Sequence, residues 1–354
     1  MKVNDLRVKD IGEFSLIERL VEVLGPTARG AGQGVIRGIG DDAAILQNSP
    51  GTRILASCDM LLEGRHFDLS YSSPRQLGWK ALAVNLSDIA AMGGRPRWAL
   101  VNLGLRPELK VSLVEEIYAG IAELAEEHGV IVVGGDTCSS PGQLIIDICI
   151  LGEASRSGIA YRSGAMENDM ILVTGNLGKS AAGLAYLRGK MQLQLEPDDR
   201  EELLGAHLRP VPRVKEASLL IRSGMVNAMN DISDGLASEL HEIVQASGCG
   251  ARIWAERLPL SPSTIKMANS IGVNPLEWAL YGGEDYELLL TIPGSKGSPL
   301  RVRRLSNSLK RATGTSLSLI GRILPFPGVE LVYPDGRVEP LAQGGYNHFK
   351  NSAT

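Results

Sequence analysis

Apolar residues along the 354-residue chain alternate between two rhythms. Leu16, Ile17, Leu20, Val21 and Leu24 recur at helical spacing and predict a helix over 12–24. Short β-branched runs predict strands over 42–46 and 53–60. Pro74 opens a long helical pattern that stops at Gly93-Gly94, as proline suits a first turn and glycine an end. A strand over 97–105, a helix over 111–128 closed by Gly129, a strand over 130–133 and another over 144–152 complete the first half. The period disappears over 155–164, which places a domain boundary between 1–154 and 155–354. The second half predicts strands over 170–174, 227–231, 252–255, 286–292, 317–324 and 329–333. Its helices fall over 179–188, 214–223, 234–247 and 299–312, with a polar connection over 192–210. Alternating strands and helices in both halves predict two α/β (α+β) domains.

Composition narrows the class. Glycine is abundant, at 41 residues, and aromatics make up only 5%, which suits layered α/β packing. A formal net charge of -4 argues against a nucleic-acid binder. Cys58, Cys138, Cys149 and Cys249 include no CxxC pair, so zinc and redox motifs lack support and a reducing cytoplasm is expected. The first ten residues carry no apolar signal core. No stretch approaches the roughly 20 apolar residues of a membrane span.

Candidate chemistry sits in glycine- and serine-flanked aspartates. Gly38-Ile39-Gly40-Asp41-Asp42-Ala43-Ala44 sets two carboxylates in a turn before an apolar run. Ser57-Cys58-Asp59, Asn85-Leu86-Ser87-Asp88, Gly134-Gly135-Asp136-Thr137 and Asp231-Ile232-Ser233-Asp234-Gly235 repeat that setting. Taken singly, Asp231 and Asp234 read first as caps of the following helix, and the structural reading of each aspartate outweighs the functional one. Taken together, Asp42, Asp59, Asp88, Asp136, Asp231 and Asp234 read as one carboxylate cluster at strand ends. Such a cluster repels itself unless cations lie within it. Oxygen-only ligands suit Mg²⁺, which bridges substrate phosphates and so points to phosphoryl transfer. Gly175-Asn176-Leu177-Gly178-Lys179-Ser180 looks like a phosphate loop, but it has two residues between its glycines where that loop needs four. His66 lies in a loop with Arg65 and Asp68. Arg162 could grip a phosphate or form an interdomain salt bridge. Glu284, in Gly282-Gly283-Glu284-Asp285-Tyr286, suits a cationic or amine-bearing substrate, or a plain turn.

These motifs, with the helix Lys80 to Gly93, the GGEDYEL run and the Gly345-Tyr346 end, make the chain similar to the bacterial thiamine-monophosphate kinases of the aminoimidazole-ribonucleotide-synthetase-like superfamily. The resemblance covers nearly the whole chain. It implies a two-domain fold, with an N-terminal mixed sheet covered by helices on one face and a C-terminal α/β domain. It implies direct transfer of the γ-phosphoryl of ATP to thiamine monophosphate, and a homodimer whose N-terminal sheets pack together. Asp42, Ser57, Cys58, Asp59, Asp88, Asp136, Asp231 and Asp234 fall on its magnesium positions, and Asp42, Asp88 and Asp231 would be central to catalysis. Tyr118, Gly135, Asp136, Arg162 and Ser233 fall on its ATP contacts. His66, Glu284 and an aromatic residue near the C-terminus, taken as Tyr346, fall on its substrate contacts. Cys58 departs from the threonine common there, which matters only if the side chain is the ligand. Another ATP-dependent enzyme of the superfamily, or a nucleotide or metal sensor without turnover, is the alternative. The absence of a cysteine before Cys58 and of a terminal cysteine disfavours two of the sister enzymes.

Overall fold

The computed structural model describes residues 6–28, 33–37, 39, 44–189, 195–294 and 299–346. Asp42 and most of its glycine turn lie outside the described residues. The chain forms two compact units, Met1–Ile89 with Gly94–Ser157, and Ala90–Gly93 with Gly158–Thr354.

The first unit holds α1 (Val8–Leu24), β1 (Val35–Arg37), β2 (Ile45–Leu46), β3 (Thr52–Leu62), α2 (Pro74–Ala91), β4 (Arg95–Leu105), α3 (Val111–His128), β5 (Ile131–Ser139) and β6 (Ile145–Ser155). Its mixed sheet runs β3-β6-β4-β5. β4 and β5 are parallel and joined by α3, because parallel neighbours need a crossover helix. β3 and β6 pair antiparallel over eleven residues. The period of two is visible in β3 and β6: Leu61, Ile146, Ile148 and Ile150 are buried, while Ile54, Ala56, Cys58 and Met60 face outward. α2 is tied to the buried face, where the Asp59 amide donates to Asn85 at 3.2 Å.

The second unit holds β7 (Met170–Thr174), α4 (Lys179–Arg188), α5 (Pro197–Leu208), α6 (Val214–Arg222), β8 (Ala228–Asp231), α7 (Leu236–Ser247), β9 (Gly250–Trp254), α8 (Pro262–Ile271), α9 (Pro275–Tyr281), β10 (Leu288–Ile292), α10 (Pro299–Thr313), β11 (Leu317–Leu324), β12 (Gly328–Val332) and β13 (Val338–Pro340). The sheet order is β13-β12-β9-β11-β7-β10-β8. Both faces are buried. Ile171, Val173 and Leu289 pack with Leu240 and Ile243 of α7 on one side. Leu172, Leu288 and Leu290 pack with Leu220 of α6 and Leu309 of α10 on the other.

Two expectations change. The polar 192–210 stretch contains α5, which starts at Pro197 and buries Leu203, His207 and Leu208. The Gly134-Gly135-Asp136-Thr137 motif is not a turn after a strand but part of β5, paired residue by residue with β4. Gly135 permits this: its φ is 152°, and a Cβ there would fall 1.8 Å from the Val101 carbonyl oxygen.

Candidate active site

In the first unit, alternation along β3 sends Ser57 and Asp59 to the helix-covered face. There the Ser57 hydroxyl donates to the Asp88 carboxylate from α2. Burial, then the charges of Asp88 and Asp147, push the Asp59 carboxyl up to about pKa 7. Asp59 and Asp88 therefore compete for negative charge until a cation joins them.

Cys58 and Asp136 lie on the opposite face. Cys58 Sγ donates to Asp147 Oδ1 at 3.1 Å, and Asn102 Nδ2 donates to Asp147 Oδ2 at 2.7 Å. Asn102 is the ladder partner of Asp136. The hydrogen bond to Asp147, with burial and nearby charge, pushes the Cys58 thiol up to about 12. The Cys58 side chain points away from Ser57, Asp59 and Asp88, so its identity neither adds nor removes a donor in that group.

In the second unit one turn collects most of the expected residues. β8 ends at buried Asp231, and α7 begins after Gly235, whose φ of 124° carries the chain into the helix. Buried Glu239 of α7 accepts from the Asp234 amide at 3.0 Å. The Glu284 amide donates to the Ser233 carbonyl at 2.6 Å, and the Tyr346 amide donates to the Asp234 carbonyl at 3.1 Å. Segments near 284 and 346 thus grip a single turn, and Ser233, Asp234, Glu284 and Tyr346 become neighbours. Burial, reinforced by the charges of Asp231 and Asp234, pushes Glu239 up to about 8. Its Oε2 is buried without a hydrogen-bond partner among the described residues.

Gly345 sits against this turn with φ 150°, where a Cβ would fall 2.5 Å from the Asp234 oxygen. Gly345→Ala is expected to push the 346 strand-like end off the turn. Such backbone strain costs roughly 1–3 kcal/mol. The readouts are a melting temperature lowered by several degrees and an acceptor KM raised more than the ATP KM.

Other expected residues divide. His66 Nδ1 accepts from the Leu62 amide at 3.0 Å, which places the ring proton on Nε2 and leaves a neutral donor-bearing imidazole. Buried Lys80 donates to the His66 carbonyl at 3.3 Å and fixes the loop. Tyr118 lies on the inward side of α3, and burial raises its hydroxyl pKa. Arg162 pairs with Glu242 at 3.2 Å and with Asn230 at 3.2 Å, all within the second unit, so its salt bridge is not interdomain.

The Gly175–Ser180 turn already holds an anion. Asp285 accepts from the amides of Gly178 at 2.6 Å and Ser180 at 3.2 Å, so the α4 N-terminus is filled by a side chain rather than open to phosphate. Burial pushes Asp285 up to about 7. A raised carboxyl gives stability that is full below its unfolded value near 4 and is lost as pH rises through 7. The melting temperature should therefore fall between pH 5 and pH 8, and Asp285→Asn should flatten that fall by a few degrees in scanning calorimetry.

Among the described residues, no three His, Cys, Asp or Glu side chains converge on a single metal-sized point. Paired carboxylates such as Asp59–Asp88 are what Mg²⁺ uses when it keeps waters and takes its remaining oxygens from phosphates. The Asp59–Asp88 pair fits such an ion, and in the second unit the unpartnered Glu239 Oε2 is a separate polar atom left unsatisfied among the described residues.

Two domains of AIR synthase related protein match this chain, the N-terminal over residues 40–154 and the C-terminal over 167–294. Fold and sites thus define a two-domain AIR-synthase-related protein. Thiamine-monophosphate kinase of Bacillus subtilis (strain 168) is 37% identical over 317 residues, 88% of this chain and 93% of that one. The solved thiamine-monophosphate kinase of Stenotrophomonas maltophilia K279a is 32% identical, covers 92% of this chain and 98% of its own, and superposes with TM-score 0.78. AaThiL, solved in complex with AMPPCP and TMP, is 36% identical over 97% of this chain and 99% of its own, with TM-score 0.73. The chain belongs to the thiamine-monophosphate kinase family.

Sequence reasoning missed Glu239, Asp147 and His207, and named Asn85 only as part of the Asp88 motif, without its hydrogen bond to the Asp59 amide. The available signal was a polar residue on a helix's apolar stripe: Glu239 between Leu236, Leu240 and Ile243, and His207 between Leu203 and Leu208.

Proposed function

We propose that this protein transfers the γ-phosphoryl group of ATP to thiamine monophosphate, giving thiamine diphosphate and ADP. The observation that carries this reading is the turn at Asp231–Gly235, bonded on both sides by the segments of Glu284 and Tyr346. It puts anion-handling carboxylates beside Glu284, a carboxylate suited to an amine-bearing or cationic acceptor. The relative solved with AMPPCP and TMP supports the choice of donor and acceptor.

The acceptor's own phosphate oxygen is ionised and needs no general base. It attacks the γ-phosphorus, and the bond to the β–γ bridging oxygen breaks toward ADP. Mg²⁺, when bound, supplies the positive charge that lets two phosphate groups meet. Ser57, Asp59 and Asp88 in the first unit and, separately, Asp231 and Asp234 in the second are the proposed holders, with Asp42 added and Cys58 contributing no thiolate; Asp136, on the opposite face of the first sheet, is proposed for a separate ion. The proposed ATP contacts are Arg162, half-exposed beside Asn230 and Glu242, and Ser233 in the second unit, and Gly135, Asp136 and Tyr118 in the first. The proposed acceptor contacts are His66 in the first unit and Glu284, suited to the acceptor's positive or amine end, with exposed Tyr346 in the second. A cytoplasmic setting, where ATP is available, belongs to the same reading.

The dimer is part of the proposal. Ile54 and Met60 are 47% and 52% exposed on the face of the first sheet opposite α2, and a second copy is their proposed cover. Met60→Asp should turn a dimer into monomers in sedimentation.

The test is thiamine diphosphate production from ATP, Mg²⁺ and thiamine monophosphate by the purified protein. Turnover of formylglycinamidine ribonucleotide instead would point to a sister enzyme. Tight ATP binding with no ADP released on adding either acceptor would point to a sensor.

A further inference from the structure

Glu284 is held in a costly conformation. Its φ is 65° and that of Tyr286 is 50°, both left-handed and both in residues other than glycine. Each costs roughly 1–3 kcal/mol and persists only where surrounding contacts over-determine it. Backbone bonds from Glu284 to Ser233 and from Tyr286 to Ile232 fix the main chain. They do not aim the carboxylate, which is the group an acceptor would meet.

That carboxylate has a partner outside every motif. His207 projects from α5, in the stretch whose composition suggested a mere connection, and it is 2% exposed. Its Nδ1 lies 3.2 Å from Glu284 Oε2 and 3.0 Å from the hydroxyl of Ser180 on α4. The α4 end is itself anchored, since the Ser180 amide donates to Asp285, the next residue after Glu284. A buried imidazole between two packed helices has little freedom to rotate, so it can hold a partly exposed carboxylate in one orientation.

We infer that His207 is a positioning residue that aims the Glu284 carboxylate at the amine-bearing or cationic part of the acceptor. The inference rests on the proposed role of Glu284. It separates His207 from a packing role, because packing alone predicts no preference between the two substrates.

The experiment is steady-state kinetics with thiamine monophosphate and ATP varied separately, on the full chain with Mg²⁺. Glu284→Gln and His207→Leu are each expected to raise the acceptor KM roughly 10- to 100-fold, the range of a hydrogen bond to a charged group. The ATP KM should stay within about 2-fold. The double variant should be no worse than the weaker single one, because the two residues act as one unit. His207→Asn keeps an N–H near the Nδ1 position and should recover most of the loss, whereas His207→Gln should not. If Glu284→Gln leaves the acceptor KM unchanged, the role of Glu284 falls and this inference falls with it. If Glu284→Gln acts but His207→Leu does not, or the two effects add in full, only the inference is overturned. Should His207→Leu fail to fold, equal acceptor KM values for His207→Asn and His207→Gln overturn it.

Discussion

Asp88→Asn is expected to lower kcat by roughly 10²- to 10³-fold at ordinary Mg²⁺, the scale of losing several kcal/mol of charge stabilisation. The fold should survive. The substitution keeps the shape of the side chain and an oxygen to accept from the Ser57 hydroxyl. It also removes one of the charges that help raise Asp59 to about 7. The sign of the stability change follows. In metal-free protein, Asp59 contributes stability that is full below about pH 4 and lost as pH rises through 7. Weakening the repulsion lowers its folded pKa and shrinks that loss. At pH 8 without Mg²⁺, Asp88→Asn should therefore melt no lower than wild type, and adding Mg²⁺ should stabilise wild type more than the variant. Near wild-type turnover in Asp88→Asn would remove Asp88 from the metal set. An unfolded variant would instead make it a structural residue.

Much of the fold can be read directly in the chain, and the parts that cannot share a cause. β7, β11, α3 and α4 fall where the periodicity places them, because each buries a regular stripe or run. α5, α8 and α9 escape it. Their apolar positions are few, and a short helix packed against other helices needs only a few: Leu203 and Leu208 in α5, Met267 and Ala268 in α8, Ala279 and Leu280 in α9. The aspartates are visible because glycine and serine flank them. The orientation of their side chains is less so. Cys58 stands between Ser57 and Asp59, and only the alternation of a strand reveals that its thiol faces the other way. Asp136 required knowing that its motif continues a strand and that Gly135 allows the close approach to β4. The supporting residues were hardest to see, because a buried glutamate or histidine reads as an interruption of a stripe until its partner is known. Glu239 gains meaning only beside Asp234, and Asn85 only beneath Asp59.

Asp231→Asn should give the second large effect, with a different signature. Asp231 is 3% exposed and closes β8 opposite Leu288 of β10, so its backbone is fixed by the sheet. Its charge, with that of Asp234, adds to the rise of Glu239 to about 8. Asp231 and Asp234 repel the ionised form of Glu239, and a cation held by the two aspartates would relieve that repulsion. Asparagine retains the volume but removes the anion. We expect kcat to fall by roughly 10²- to 10³-fold, as for Asp88. The Mg²⁺ concentration for half-maximal activity should rise at least about 10-fold, on the scale of losing one supporting metal contact. In metal-free buffer at pH 8 the variant should melt higher than wild type, since Glu239 then ionises against one charge fewer; with saturating Mg²⁺ and ATP the order should reverse. Asp231→Ala separates this from packing: it removes the same charge but also leaves a gap beside Glu239, so it should lose activity like asparagine and melt lower in both buffers. If Asp231→Asn keeps the wild-type Mg²⁺ midpoint while losing activity, the carboxylate acts on the turn's geometry and not on a cation. If it keeps both, the turn at Asp231–Gly235 is scaffold, and the phosphate-handling role must lie elsewhere.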